Sequence, residues 1–213
     1  MAATQPESSV TDGIRTLEVR WIFPGELESA VAGWFGRFTA GTESREDTYI
    51  VNPHLPGLSV KIRAGGTLEV KVYRGSPGIL DVAGRARGHM ESWQKWSFPF
   101  GLPSQGGGEA AGWRLVHKRR RIGWFSQASG PVLARVPALD EEPGCAVELT
   151  EIRTRGEAWW SLGFEATGPA DLLRGELEAT AALVFAESPP GGAELGTEDS
   201  RSYAEWLWRR PGR

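Results

Sequence analysis

Lysine is scarce in this chain and unusually placed. The 24 basic residues divide into 20 Arg and only four Lys, at positions 61, 71, 95 and 118. All four lie in segments that alternate polar with apolar residues. In TLEVRWIF the polar Thr16, Glu18 and Arg20 alternate with Leu17, Val19 and Trp21. Ser59, Lys61 and Arg63 alternate with Val60 and Ile62, and Thr67, Glu69 and Lys71 with Leu68, Val70 and Val72. A period of two places each set on one face of a β-strand. Carboxylates share the charged faces: Glu18, Glu69, Glu148 and Glu165 each have apolar neighbours in the sequence.

A charged strand face is ordinarily the solvated exterior of a sheet. Three features oppose that reading here. No lysine sits in a helix, tail or loop, acids and bases share the same faces, and the opposite faces are strongly apolar. An apolar outer shell packed by helices leaves the interior of a barrel as the place for the polar groups. Several cations aimed into one cavity repel each other and lose hydration, so they require carboxylates or a bound anion as counter-charge. Phosphate chains supply such charge. Arg offers them a planar fork and Lys a compact point charge, while carboxylates in the same cavity are oxygen ligands suited to Mg²⁺ or Mn²⁺.

These side chains need a sheet to position them. Strands are expected at TLEVRWIF, EDTYIV, LSVKIRA, TLEVKVYR, ESWQKWSFPF, WRLVHKRRRIGWF, PVLARV, GCAVELTEIR and AWWSLGFEATG. Gly65 and Gly66 suit the tight turn of a hairpin. Leu27, Val31, Trp34, Phe35 and Phe38 recur at helical spacing. PADLLRGELEATAALVFAES reads as a long amphipathic helix, and RSYAEWLWR as a short closing one. Residues 1–13 are unpatterned and are expected to form a disordered tail, with one domain over residues 14–213.

The composition, 40% hydrophobic and 24% charged, is that of a globular chain with a sizeable core. A formal net charge of -3 speaks against a protein that binds nucleic acid through global positive charge. The single Cys145 cannot form an internal disulfide, and His54, His89 and His117 have no zinc-ligand spacing. No apolar run approaches the roughly 18 residues of a membrane span. The expectation is a cytoplasmic protein with a phosphate-bearing small molecule as its partner, and neither nucleic acid nor membrane.

The order of these segments resembles the CYTH-like, triphosphate tunnel metalloenzyme superfamily. TLEVR resembles its opening Glu-x-Glu-x-Lys strand, with Thr16, Glu18 and Arg20 at the three signature positions. REDTYIV, SVKIR, LEVK, HKRRR, VELTE, GFEAT and SYAEWL resemble the segments that follow in that family. The resemblance implies a mainly β, closed, antiparallel, eight-stranded barrel or tunnel with helices packed outside. It further implies a divalent-metal-dependent phosphohydrolase of a triphosphate or an organic di- or triphosphate. Arg20, Lys61, Arg63, Lys71, Lys118 and Arg120 would bind phosphate, and Glu18, Glu148 and Glu165 would be the catalytic carboxylates holding one Mg²⁺ or Mn²⁺. Thr16, Thr150 and Thr167 stand where further acids belong. The alternative is a protein of this fold that binds or converts a phosphorylated or diphosphate-bearing metabolite, a prenyl-type diphosphate among them, without triphosphate hydrolysis. Trp93, Trp96 and Trp159 are expected to pack, as is Tyr49, and His117 to be structural or exterior.

Overall fold

The computed structural model describes residues 13–63, 66–99, 112–127, 130–132, 143–187, 189 and 195–209. Its strands are β1 (Ile14–Pro24), β2 (Gly41–Ile50), β3 (Leu58–Arg63), β4 (Thr67–Val82), β5 (Ala86–Pro99), β6 (Trp113–Ser126), β7 (Gly130–Val132), β8 (Gly144–Thr154) and β9 (Glu157–Thr167). The helices are α1 (Ser29–Gly36), α2 (Leu173–Val184) and α3 (Tyr203–Arg209). Eight strands pair in the order β2-β3-β4-β5-β1-β9-β8-β6, and β6 returns to β2 over Gly41–Ile50 to close the barrel. Every ladder is antiparallel, and β7 pairs with β6 as a short ninth strand.

The larger of two hydrophobic clusters lies outside the barrel. Leu17, Val19 and Trp21 of β1, Val147 and Leu149 of β8, and Trp160, Leu162 and Phe164 of β9 point outward and are buried. Val31 and Phe35 of α1 and Leu173, Leu177, Ala181 and Val184 of α2 cover them. Each such aliphatic or aromatic side chain contributes about 1.5–3 kcal/mol on removal from water. The apolar strand faces are thus the inward side of a strand-helix layer, and the polar faces are left to line the barrel. Helices do not cover the whole wall: Leu68, Val70 and Val72 are only half-buried, and Phe98 is exposed.

Strand β4 is much longer than its sequence pattern indicated. It continues past Tyr73 through Gly75 and Gly78, both at φ +120°, where its register against β5 shifts. Only glycine adopts that backbone readily, so Gly-Ser-Pro-Gly reads as a turn in sequence yet forms a bulge within a strand. The PVLARV strand is present as Gly130–Val132, and its remaining residues lie outside the described ones. Residues 1–12 and the Gly65 position of the hairpin turn also lie outside them.

Helix α3, rather than α1, closes one end of the barrel. Its Trp206 and Leu207 pack with the inward-facing Ile22, Tyr49, Val116 and Ile152, together with Trp159. Trp159 meets Trp206 edge to face at 5.3 Å.

Candidate functional site

The strand alternation brings the inward residues around one cavity. Glu18 and Arg20 come from β1, Arg45 and Tyr49 from β2, Ser59, Lys61 and Arg63 from β3, and Glu69 and Lys71 from β4. Glu91 and Trp93 come from β5, Lys118 and Arg120 from β6, Glu148 from β8, Glu165 from β9, and Tyr203 from α3. The space open to water is about 60 Å³, enough for about four water molecules. The cavity is narrow because its own ion pairs fill it.

All the residues expected to bind phosphate line this cavity, and each described cation is held by an acid. Lys61 Nζ lies 2.6 Å from Glu69, which also receives Arg63 at 2.8 Å. Lys118 Nζ donates to Asp47 at 2.9 Å and to the Tyr49 hydroxyl at 2.6 Å. Arg120 bridges Glu43 and Glu148, and Arg20 reaches Glu148 at 3.4 Å. Room for the Arg20 guanidinium comes from Gly163, directly opposite on β9: a Cβ there would lie 2.6 Å from Arg20 Cζ. Lys71 Nζ sits 2.6 Å from Glu18 and 3.3 Å from Glu165.

The three carboxylates expected to share one metal are not assembled. Glu18 and Glu165 are Cα partners on β1 and β9 and meet on Lys71, whereas Glu148 is occupied by Arg20 and Arg120. Among the described residues no three acidic, His or Cys side chains form a group able to hold a metal ion. Neighbouring inward positions add no acid. Thr16 and Thr167 are opposed on the same ladder, and Thr150 is buried on β8. Hydroxyls at these positions carry none of the negative charge that a divalent cation needs.

Burial and neighbours divide the lysines. Burial, aided by Arg63 and opposed by Glu69, pushes Lys61 down to about 7. Burial, with Arg45 and Arg120 close by and Asp47 opposing, does the same to Lys118. Burial would also lower Lys71, but Glu165 and Glu18 outweigh it and hold the ammonium above its usual range. Burial raises Glu91 to about 7, with Glu18 and Glu205 adding to the shift and the Trp93 indole N–H, 3.0 Å away, opposing it. Lys118, Lys61 and Arg45 overcome burial and hold Asp47 well below the usual carboxylate range.

Sequence reasoning missed Arg45, Asp47, Glu43 and Glu91 as parts of this network. EDTYIV (46–51) was legible as a strand, but β2 starts earlier, at Gly41, and its inward set Glu43, Arg45, Asp47 and Tyr49 was not recognised. Tyr203 was also missed. It lies under both Lys118 (Nζ 4.0 Å from the ring centre) and Arg20 (Cζ 4.6 Å), and its hydroxyl is 2.9 Å from Ser161 Oγ. Trp93 lines the cavity, Trp96 is half-buried on the outer face, and His117 is exposed beside Glu46.

No family model matches this chain, and no curated protein matches it. Solved structures do. A protein from Pyrococcus horikoshii OT3 aligns at 16% identity and TM-score 0.45, covering 89% of this chain and 98% of that one. The mimivirus capping enzyme triphosphatase aligns at 10% identity and TM-score 0.39, covering 80% and 90%. The Schizosaccharomyces pombe Pct1 RNA triphosphatase aligns at 9% identity and TM-score 0.40, covering 84% and 81%. Identities this low leave function to be derived from the tunnel residues themselves. No described helix is long and apolar enough to cross a membrane.

Proposed function

We propose that the barrel interior binds a phosphate-bearing small molecule of the di- or triphosphate class. One observation carries the reading: Arg20, Arg45, Lys61, Arg63, Lys71, Lys118 and Arg120 converge on a single buried cavity, where burial and neighbouring cations outweigh the paired acids and bring Lys61 and Lys118 down to about 7, so that further negative charge would be stabilising. A polyanion supplies that charge. It displaces the tunnel carboxylates as partners, Arg through its fork and Lys as a point charge. The free space of about 60 Å³ admits a phosphate chain only as the ion pairs reopen around it.

Metal-dependent hydrolysis needs more than the site supplies as it stands. Glu18 and Glu165 could serve as two oxygen ligands, but both are engaged by ammonium groups, and Glu148 does not join them. Bound Mg²⁺ or Mn²⁺ would supply Lewis-acid polarisation of a phosphoryl oxygen.

The test is thermal denaturation with inorganic triphosphate and diphosphate, paired with phosphate-release assays on the same ligands with Mg²⁺ and Mn²⁺. Concentration-dependent stabilisation of the wild type, weakened in Lys118→Met, is the expected result. Absence of stabilisation by every phosphate ligand would overturn the binding reading, whereas metal-stimulated phosphate release lost in Glu165→Gln would establish the hydrolase.

A further inference from the structure

Two ladders meet at one buried cluster. On β1 and β9 Thr16 faces Thr167 and Glu18 faces Glu165, while on β4 and β5 Lys71 faces Lys95. Like charges directly opposed across an antiparallel pair repel, and Lys95 is only 2% exposed, so water does not screen it. The two carboxylates hold the pair in place. Lys71 Nζ lies 2.6 Å from Glu18 and 3.3 Å from Glu165, and Lys95 Nζ lies 3.0 Å from the same Glu165 oxygen. The Thr16 hydroxyl donates to Glu18 at 2.7 Å and occupies a further lone pair. Two acids and two ammonium groups leave the cluster with no net charge.

A divalent cation needs ligands of net negative charge. Here the two acids that meet are already neutralised, the opposed positions beside them are threonines, and the third candidate acid is clamped by two arginines. A metal ion placed between Glu18 and Glu165 would stand next to two fixed positive charges. We propose that Lys71 and Lys95 act in this tunnel as a built-in substitute for a divalent cation, so that the phosphate chain is bound without metal. Lys71 faces the cavity and contacts the anion. Lys95 lies behind Glu165 and is a positioning residue, holding that carboxylate so that Lys71 is oriented toward the ligand and no metal seat opens. The proposal rests on the phosphate-binding reading above, which it sharpens.

Two measurements on the full chain separate the proposal from that reading. Calorimetric titration with inorganic triphosphate in excess chelator is expected to show saturable binding. Binding that vanishes in chelator and returns with Mg²⁺ would overturn the substitution. Electron paramagnetic resonance of added Mn²⁺ without any phosphate ligand is expected to show no bound ion in the wild type. The Lys71→Met/Lys95→Met double variant frees Glu18 and Glu165 and is expected to gain bound Mn²⁺. A folded double variant that binds none would overturn the claim that the lysines occupy a metal seat. So would wild-type Mn²⁺ binding that Glu165→Gln abolishes, which stands even if the double variant does not fold. If triphosphate binds under neither condition, the phosphate reading fails alone and the Mn²⁺ result still decides the lysine pair.

Discussion

Lys71 and Lys118 are the same residue type, both buried in one tunnel, and the fold gives them opposite characters. Lys71 is flanked by two carboxylates that outweigh its burial and hold it charged above its usual range, whereas burial takes Lys118, with one carboxylate against Arg45 and Arg120, down to about 7. Lys61 belongs with Lys118: Glu69 holds it, but burial and Arg63 prevail, and it is the member of that ion pair that gives up its proton near neutrality. Burial alone does not decide the charge of a lysine; the local ratio of acids to bases does. One side of the tunnel is internally compensated. The other is short of negative charge, and that is where an incoming phosphate gains most.

The strongest way to break the contrast is to remove the acid that creates it. Glu165→Gln leaves Lys71 and Lys95 opposed across the β4-β5 ladder, with Glu18 still paired to Lys71 and Lys95 stripped of its salt-bridge partner. Breaking a buried pair by deleting one partner costs about 3–5 kcal/mol, which urea denaturation at neutral pH would register as a lowered midpoint. The same change moves Lys71 toward the behaviour of Lys118, so its pKa falls. Stability equal to wild type would mean that the cluster is hydrated and that the compensated side is no different from the other.

The second effect is read through pH. Lys61 and Lys118 bind fewer protons in the folded chain than in the unfolded one between about 7 and the usual lysine value near 10.4. Their unfavourable contribution is therefore complete below pH 7 and is relieved as pH rises through that window, so stability climbs there. Glu91 has the opposite sign: raised to about 7, it costs stability as pH rises from the usual glutamate range to 7. A bound anion favours the charged lysines and a protonated Glu91. Triphosphate affinity is expected to fall above pH 7 by about tenfold per unit for each lysine that must take up a proton, and Lys118→Met should make the profile shallower. A flat calorimetric profile from pH 6.5 to 9 (about the window in which these groups titrate) would refute the assignment of low pKa values to this side.

Much of this contrast was written in the period-two patterns, because an inward strand position is fixed by parity once its neighbours are known. That logic put Glu18, Arg20, Lys61, Lys71 and Glu165 on one surface, whereas the inward facing of Lys118 rested on the resemblance of HKRRR to a family segment. It could not show which acid would meet which base, since partners such as Asp47 and Lys118 or Lys71 and Glu165 lie far apart in sequence and are joined only by barrel closure and register. Glu148 illustrates the failure. Its parity was right for the interior, but its place on β8 sets it against Arg20 and Arg120 rather than against Glu18. Lys95 stood out as one of only four lysines, yet its role depends on a β4-β5 register that continues through a glycine bulge. Tyr203 was hidden because a closing helix that enters the end of a barrel looks like any short amphipathic segment.

The smallest expected effect checks the parity on which the comparison depends. Along β6 the run His117 to Arg121 alternates, with Lys118 and Arg120 buried and His117 and Arg119 exposed. Arg119 lies on the outer surface, 3.9 Å from Glu151, with its side chain 59% exposed. Pairs of this kind contribute roughly 0–1 kcal/mol, so Arg119→Ala should shift stability by no more than about 0.5 kcal/mol and leave triphosphate binding unchanged. Arg120→Ala, which strips Glu43 and Glu148 of a shared partner inside the tunnel, should both destabilise the chain and weaken binding. If the two variants behaved alike, or in the reverse order, β6 would be shifted by one residue, which turns every side chain to the opposite face. Lys118 would then lie outside, and the deficit of negative charge that separates the two sides of the tunnel would disappear.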